Sequence, residues 1–591
     1  MAMNQLTRHL LILIVVAGAV FFANLGAARL WDRDEPRNAG CAREMIERGD
    51  WVVPYFNDEV RVHKPILLYW LMIGSYTLFD VSEFTARLPS ALQGLGTVLL
   101  TYFIGRRLFN PQAAVWAGAI LATCIMFGVV ARAATPDSTL CFTATLAMFA
   151  YVYTAFPKKD PAASPLDRPA RTSYFPVKLW HAVLIYAAMG LATLAKGPVG
   201  FIVPAAVIGM FLLITHLPKI APIPLHVRGL ERWKMLAGRA VRPFAPRHFL
   251  RVLWMMRPIT LFVVVMAVAL PWYLWVHERS DGVWTRGFFL EHNIGRAAQA
   301  MEGHGGGPWY YPGTIILGFF PWIILLVPAF ISAIAWVRRR DNDRPGYLFA
   351  LCWACVWVGV FTVASTKLPT YITPMYPAMA LLTGAYIHRW QRGEAVPDPL
   401  KVRLAFGILA FIGVGTIIGL AIAMHTTFGG GQWLGAIGII PIIGAIICWR
   451  LAEQRRREAT MIAFGVMAGV FVLTLFAVGT PVVDRFQLSH KLLAAIDQNS
   501  DNPSVHSFGR LEPSWVFYLG RTINEIPKGD YAEAASFLEG GRERFLITTL
   551  DRYERLRPTL PADVVNLETI PYFGREGEIV VIGRHAAVAT N

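Results

Sequence analysis

Two acids stand side by side in WDRDEPRNAG, residues 31–40, with Arg33 before them and Arg37 two positions after. A carboxylate that leaves a membrane beside cations can take a proton while its neighbours stabilise the charge that develops. The stretch follows directly on LLILIVVAGAVFFANLGAA, an apolar run long enough to cross a bilayer.

Other ionisable residues lie in similarly apolar or tightly turned sequence. RVHKPILLYW carries His63 and Lys64, and VVARAATPDSTLC carries Arg132 and Asp137. LATLAKGPVGF carries Lys196, VASTKLPTYITP carries Lys367 and Tyr371, and Glu291, His292, Arg296 and His304 follow one another in a fifth segment. Charges at the ends of membrane helices are costly unless paired or wet, so their default reading is functional. Each has a structural reading on its own: Lys196 or Lys367 snorkelling to headgroups, Asp137 capping the helix that follows it. Their convergence from separate loops onto one side is what points to a site.

The elements that must position them are membrane helices. The chain has 591 residues, 55% of them hydrophobic and only 16% charged, against about 25% charged in soluble domains. The net charge of +16 is not a nucleic-acid footprint, because the basic residues fall in short clusters between apolar runs, at 106–107, 158–159, 338–340 and 455–457. That is the pattern of cytoplasmic loops under the positive-inside rule. Of the six cysteines, Cys124, Cys141, Cys352, Cys355 and Cys448 lie in or beside apolar runs and only Cys41 looks extramembranous. They read as small buried residues, with neither a disulfide framework nor a metal site.

About 20 apolar residues cross the hydrocarbon core. That length gives about thirteen candidate spans: 9–28, 86–105, 112–130, 139–156, 178–194, 198–216, 258–276, 311–336, 347–364, 369–387, 403–424, 432–449 and 460–479. The first reads as an uncleaved helix. With the N-terminus inside, the basic loops 106–111, 157–177, 217–257, 337–346, 388–402 and 450–459 all fall on the inner side. The candidate chemistry then falls outside, including a long loop at 29–85 with an amphipathic helix and a short interfacial or re-entrant one at 65–79. The reading is a polytopic α-helical membrane domain over 1–480 and a small soluble α/β domain over 481–591. In the tail, SVHSFG, WVFYLG, FLITTL, VVNLETI and EIVVIG read as strands, alternating with the helical HKLLAAIDQN, YAEAASFLEGG and DRYERLRPTL.

Several cations and one or two carboxylates at the outer edge of a bilayer suit a lipid-phosphate ligand, with Lys and Arg on the phosphate and a carboxylate left as base. Glycosyl transfer from a polyprenyl-phosphate sugar fits; by charge alone a phospholipid hydrolase or a transporter fits equally. There is no Walker A pattern and no G-x-G-x-x-G after a strand, which argues against nucleotide-sugar or ATP-driven chemistry.

The motifs resemble those of the lipid-carrier-dependent glycosyltransferases of the GT-C type, in the ArnT-like branch related to the protein O-mannosyltransferases. The resemblance is carried by D-E-P-R at 34–37, A-R-E-M at 42–45, G-D-W at 49–51, H-K-P at 63–65, P-D at 136–137 and K-G-P-V-G at 196–200. P-W-Y at 271–273, E-H-N-I-G-R at 291–296, H-G-G-G-P-W-Y-Y at 304–311 and K-L-P-T-Y at 367–371 continue it. It implies a GT-C fold with about thirteen membrane helices and an outer C-terminal domain, in a bacterial inner membrane with the site on the periplasmic side. It implies a polyprenyl-phosphate-linked sugar as donor, a lipid, glycan or protein as acceptor, membrane lipids as surroundings and no nucleic acid.

By the same resemblance Asp34 is the base toward the acceptor, and Asp137 is the second catalytic acid. Lys64 binds the carrier phosphate with Arg296, Lys367 and Tyr371. Glu35, Arg37, His63, Lys196 and His292 complete the active site, with Glu35 ligating a metal or pairing with an arginine and His63 a further candidate ligand for a divalent ion. The chain departs from the enterobacterial members at Asn38 and Gly40, where they have Tyr and Glu, and at His63, where they have Glu. Aminoarabinose as donor and lipid A as acceptor therefore do not carry over. The implied reaction is a single inverting displacement. A transporter or flippase, which would show internal repeats and midplane charges, is the rival from another class, and a polymerase or ligase moving a whole oligosaccharide is a second.

Overall fold

The computed structural model describes residues 4–31, 33–158, 173–217, 229–295, 305–339, 341, 343–395 and 397–586. Local signals open and close its helices. Asn4 caps α1 (Gln5–Phe22) by accepting from the Leu6 amide. α2 (Asp34–Arg48) stops at Gly49, whose φ of 63° few other residues tolerate. The hairpin β1–β2 (Tyr55–Phe56, Glu59–Val60) leads to α3 (Leu67–Phe79), the short helix expected there. A Ser82–Thr85 capping box opens α4 (Glu83–Leu108), and Asn110 with Pro111 opens α5 (Pro111–Ala122).

The chain continues through α6 (Ile125–Arg132), α7 (Pro136–Ala155), α8 (Leu179–Lys196) and α9 (Val199–Thr215). Two amphipathic helices, α10 (Gly229–Val241) and α11 (Pro246–Met255), occupy the basic loop before α12 (Pro258–Arg279). α13 (Val283–Arg286) runs into a π-helical turn, Gly287–Gly295. Then come α14 (Tyr310–Gly318), α15 (Ile323–Arg338), α16 (Arg344–Val363), α17 (Tyr376–Gln391), α18 (Pro399–Phe428), α19 (Ile439–Glu453) and α20 (Arg457–Thr474), the last extending to Asp484.

Among the described residues nine helices are long and apolar enough to cross a membrane, or eleven if two bent pairs count as one span each. The thirteen apolar runs of the sequence are present as helical segments, but not all as straight spans. The run at 369–387 begins with a 3-10 turn (Pro369–Met375), leaving the 16 residues of α17, which reach only about 24 Å at 1.5 Å each. α9 has 17 residues. α5 and α6 meet at 65°, and α14 and α15 at 117°. These two breaks support each other. The Ile125 amide donates to Phe320 O (3.2 Å), and the Trp322 indole donates to Thr123 Oγ1 (2.9 Å). Backbone and side-chain groups freed by each bend are thereby satisfied inside the bundle, as a lipid environment demands. Side chains such as Phe411, 77% exposed on the apolar α18, face the place of lipid.

The tail folds as a five-stranded sheet in the order β4-β3-β5-β7-β6, from β3 (Ser504–Phe508), β4 (Asn524–Ile526), β5 (Arg544–Thr549), β6 (Val565–Pro571) and β7 (Glu578–Gly583). The first three are parallel, and β7 runs antiparallel to β5 and β6. α21 (Ser489–Asp497) and α22 (Pro513–Leu519) share a core with one set of strand residues, and α23 (Tyr531–Glu539) and α24 (Leu550–Leu556) with another.

One expectation is corrected: WVFYLG is not a strand but most of α22. Pro513 starts the helix and Gly520, at φ 67°, ends it. A five-residue apolar run cannot tell the two periods apart, and here the flanking Pro and Gly decide. The strand at 524–526 was not expected; it is short and polar.

Thr123→Val should lower the thermal midpoint of the detergent-solubilised protein, since a buried indole N–H left unpaired costs about 1–3 kcal/mol. Thr123→Ser, which keeps the acceptor, should leave the midpoint unchanged.

Candidate active site

Glu35 fixes the helix on which the opening motif lies. Its Oε1 accepts from Arg87 Nε (2.8 Å) and the Ala134 amide (2.9 Å), and its Oε2 from Arg87 (2.8 Å) and the Trp31 amide (2.9 Å). Arg87 gives its remaining donors to the carbonyls of Leu25, Ala28 and Arg29, at 3.0, 2.7 and 2.8 Å. Both side chains are buried. Burial by itself would raise the Glu35 carboxyl, but the Arg87 guanidinium and the two amides outweigh it and hold the group below the ordinary carboxylate range. The first turn of α2 is thus tied to the end of α1, to α4 and to the loop before α7. Asp34, one residue earlier, is left exposed.

One turn further along α2, buried Asn38 donates to Ala134 O (3.0 Å) and accepts from Arg61 (3.1 Å). Arg61 also donates to the Tyr69 hydroxyl (3.0 Å), and its carbonyl accepts from the Trp284 indole (2.9 Å). Asp34 is close enough to act on the Arg61 charge. This buried guanidinium holds the loop that delivers His63 and Lys64.

Those two residues line a pocket of about 220 Å³ together with Lys196, His292 and Tyr371. Lys196 ends α8. Gly197, at φ 80°, turns the chain there, and Gly200 brings α9 against α8 so closely that a Cβ would lie 2.2 Å from the Ala192 carbonyl carbon. The ammonium pairs with buried Asp137 on the first turn of α7 and stands 4.6 Å from the centre of the Tyr371 ring. Thr370 lies close enough to act on the same carboxylate. His292 comes from the π-helical turn, its ring centre 4.1 Å from that of His63. Burial, then the charges of Arg61, His292, Lys64 and Arg37, push His63 down to about 2. Its ring is therefore neutral across the physiological range. The pocket carries two lysines, and one carboxylate, Asp137, stands behind the second of them.

The structure thus brings together His63, Lys64, Lys196, His292 and Tyr371 from four separate segments, with Asp137 behind them. Half-buried Arg37 lies close enough for its charge to act on His63. Lys367 is buried and donates to Ala364 O (2.7 Å) beside the pocket rather than lining it. Arg132 is elsewhere: it holds the carbonyls of Val20 and Phe21 and sits over Phe476. Glu291 is exposed. Arg296 and His304 lie outside the described residues.

Of the two alternatives for Glu35, the arginine pair is what forms; with its lone pairs taken by four donors, it does not fit a metal. No group of three or more His, Cys, Asp or Glu side chains able to hold a metal occurs among the described residues. Arg61 and Arg87 were not singled out from sequence. Arg61 stands two residues before His63 in RVHKP, and that was its only signal.

Comparison with known proteins extends the picture. The family described as dolichyl-phosphate-mannose-protein mannosyltransferase matches residues 63–163. The undecaprenyl phosphate-alpha-4-amino-4-deoxy-L-arabinose arabinosyl transferase of Pectobacterium carotovorum is 27% identical over 480 residues, covering 80% of this chain and 76% of that protein. Its namesake from Pectobacterium atrosepticum is 30% identical over 415 residues, covering 70% and 64%. The crystal structure of ArnT from Cupriavidus metallidurans bound to undecaprenyl phosphate superposes over 99% of both chains with a TM-score of 0.73, at 21% identity. The fold is therefore that of ArnT, from the first membrane helix through the C-terminal sheet.

Arg87→Met, which strands a buried carboxylate, should cost about 3–5 kcal/mol and show as loss of monodisperse protein in size-exclusion chromatography. Because the folded Glu35 is depressed, its stabilisation is present above the unfolded value of 4.5 and fades as the pH falls below it toward the lower folded value. Thermal midpoints measured at descending pH should drop there in the native protein. His63, in contrast, takes up its proton only near pH 2, so an acid limb of activity between pH 5 and 8 should keep its midpoint in His63→Gln.

Proposed function

We propose that the chain is an ArnT-like glycosyltransferase of the GT-C type, which moves a sugar from a polyprenyl-phosphate carrier to a hydroxyl or phosphate of a cell-envelope acceptor on the periplasmic face. The observation that carries this reading is the convergence of Lys64 and Lys196 on one small pocket, with aromatic Tyr371, the neutral His63 ring and His292 around them. Such a lining suits a phosphate at the head of an apolar chain: cations for the charge, rings for the isoprenoid beside it. The names of the relatives, which include an undecaprenyl phosphate sugar as donor, support the same class of carrier. The basic loops at the other ends of the spans support the periplasmic placement.

In the reaction, Asp34 accepts the proton of the acceptor oxygen as that oxygen bonds to the anomeric carbon. The bond between that carbon and the carrier phosphate oxygen breaks, and its electron pair leaves with the phosphate, inverting the centre. Lys64 stabilises the departing charge, with Tyr371 beside it, the kind of term that usually dominates such catalysis; the resemblance assigns Arg296 to the same phosphate. Asp34 suits the base because it is exposed at the start of α2, open to an incoming acceptor. Asp137 positions Lys196, since its carboxylate is held in that buried pair. Lys367 orders the backbone around Ala364 and Thr366 at the pocket wall.

Asp34→Asn should bind the carrier normally yet turn over about 10²–10⁴-fold more slowly, the usual loss on removing a general base. Lys64→Ala should weaken carrier binding as well. The assay is release of free polyprenyl phosphate in proteoliposomes offered a panel of polyprenyl-phosphate sugars. Full transfer by Asp34→Asn would remove it from the mechanism, and lipid movement without bond cleavage would replace the transferase with a flippase.

A further inference from the structure

At the opposite end of the membrane helices, a groove of about 970 Å³ opens between α15, α17 and α18, sharing no lining residue with the donor pocket. One wall is a single stripe of α15: Val327, Ile331, Ala335 and Arg339, each four residues from the last. The facing stripe of α18 runs Lys401, Ala405, Ile408 and Ile412, at helical spacing. Each stripe begins on a cation and continues apolar. The first runs from Val327 to Arg339, twelve helical rises or about 18 Å, slightly more than one leaflet's share of a hydrocarbon core about 30 Å thick. Trp336, Tyr386 and Trp390 line the groove as well, the residue types that mark a headgroup boundary.

The charge at the rim is unbalanced. Arg339 and Lys401 are exposed and ion-pair with no carboxylate among the described residues. The acids nearby are taken: Asp341 and Asp343 by Arg389, at 2.6 and 3.5 Å, and Glu394 by Arg392, at 3.0 Å. Arg338 adds to the positive field at this end, which the basic loops identify with the cytoplasmic leaflet, while Arg403 is balanced by Glu453 at 3.2 Å.

We propose that this groove seats an anionic phospholipid of the inner leaflet, its phosphate between Arg339 and Lys401 and an acyl chain along the two apolar stripes. The shape is that of one lipid, with a cationic head site joined to an apolar slot of leaflet length. A zwitterionic lipid would fill the slot but bring a cationic ammonium beside its phosphate, leaving the two cations without a net counter-charge.

The test is native mass spectrometry of the full-length protein, released from detergent in the presence of equimolar phosphatidylglycerol and phosphatidylcholine. The expected result is one phosphatidylglycerol retained per chain. Arg339→Ala/Lys401→Ala should weaken its retention about 30-fold, since each basic residue near an anionic headgroup contributes about fivefold. Ile331→Trp, which fills the slot, should lower retention with the charges intact, and Arg339→Lys/Lys401→Arg should preserve it, so a misfolded double alanine variant would not leave the question open. Equal retention of both lipids, or phosphatidylglycerol held undiminished by the filled groove, overturns the proposal. So does a dimer that Ile331→Trp dissociates without releasing lipid, because the occupant would then be a second copy of the chain.

Discussion

The candidate active site depends on one closed hydrogen-bond network. The five N–H groups of Arg87 and the two oxygens of Glu35 are all engaged, with each other, with three carbonyls after α1 and with two amides. A buried ion pair is a poor source of net stability, because desolvation offsets most of the attraction. What it does supply is a fixed geometry, since any slip leaves a charge unpaired in a dry place. Three chain segments distant in sequence, around residues 25–35, 87 and 134, meet at this pair, and α2 emerges from it in one orientation. Asp34 inherits its position from its neighbour's bonds rather than from any of its own.

The same logic, with a different partner, governs the pocket. Lys64 and Lys196 would repel each other in a low dielectric were there no carboxylate in reach, and Asp137 behind Lys196 supplies it. An imidazolium at His63 would add a third charge beside Arg61 and Lys64. Burial and those neighbours keep the ring neutral instead. A pocket built this way is electropositive without being self-destructive, and it improves when an anion enters. That is the electrostatic condition for holding a phosphate whose charge grows as a bond breaks.

Much of this was legible in the sequence, and the rest was hidden for identifiable reasons. Asp34, Lys64, Asp137 and Lys196 could be singled out because charged residues in apolar surroundings are rare. Whether Glu35 was chemistry or scaffold could not be decided there, because its partner lies 52 residues away and looks like any arginine on a helix. Arg61 was obscured by the more conspicuous His63 and Lys64 beside it. Apolar runs located the membrane helices, but run length does not report a bend. The turns at 65° and 117° exist because two breaks satisfy each other across the bundle. WVFYLG shows the same limit on a small scale, with its period ambiguous and its ends decisive.

The C-terminal domain completes the constraint on α2 from the other side. Arg43 donates to the carbonyls of Phe517 and Val516, at 2.6 and 3.4 Å, and Asn57 exchanges two hydrogen bonds with the Ile523 backbone. Tyr518 accepts from the Leu30 amide (2.8 Å) and donates to Glu83 (3.0 Å), reaching both flanks of the Glu35–Arg87 network. Gly40 lets this happen: a Cβ there would lie 2.8 Å from the Phe56 ring, which packs between α2 and the domain. The departure at Gly40 from the acid expected by resemblance is therefore a packing feature, not a missing ligand. Asn38, the other departure, is likewise absorbed by Arg61 and Ala134. Both substitutions remodel how α2 is held while leaving Asp34 at its start. Held on one flank by a buried ion pair and on the other by the α/β domain, the helix presents that carboxylate on a rigid element. A base that must meet an acceptor oxygen within hydrogen-bond reach needs such a mount.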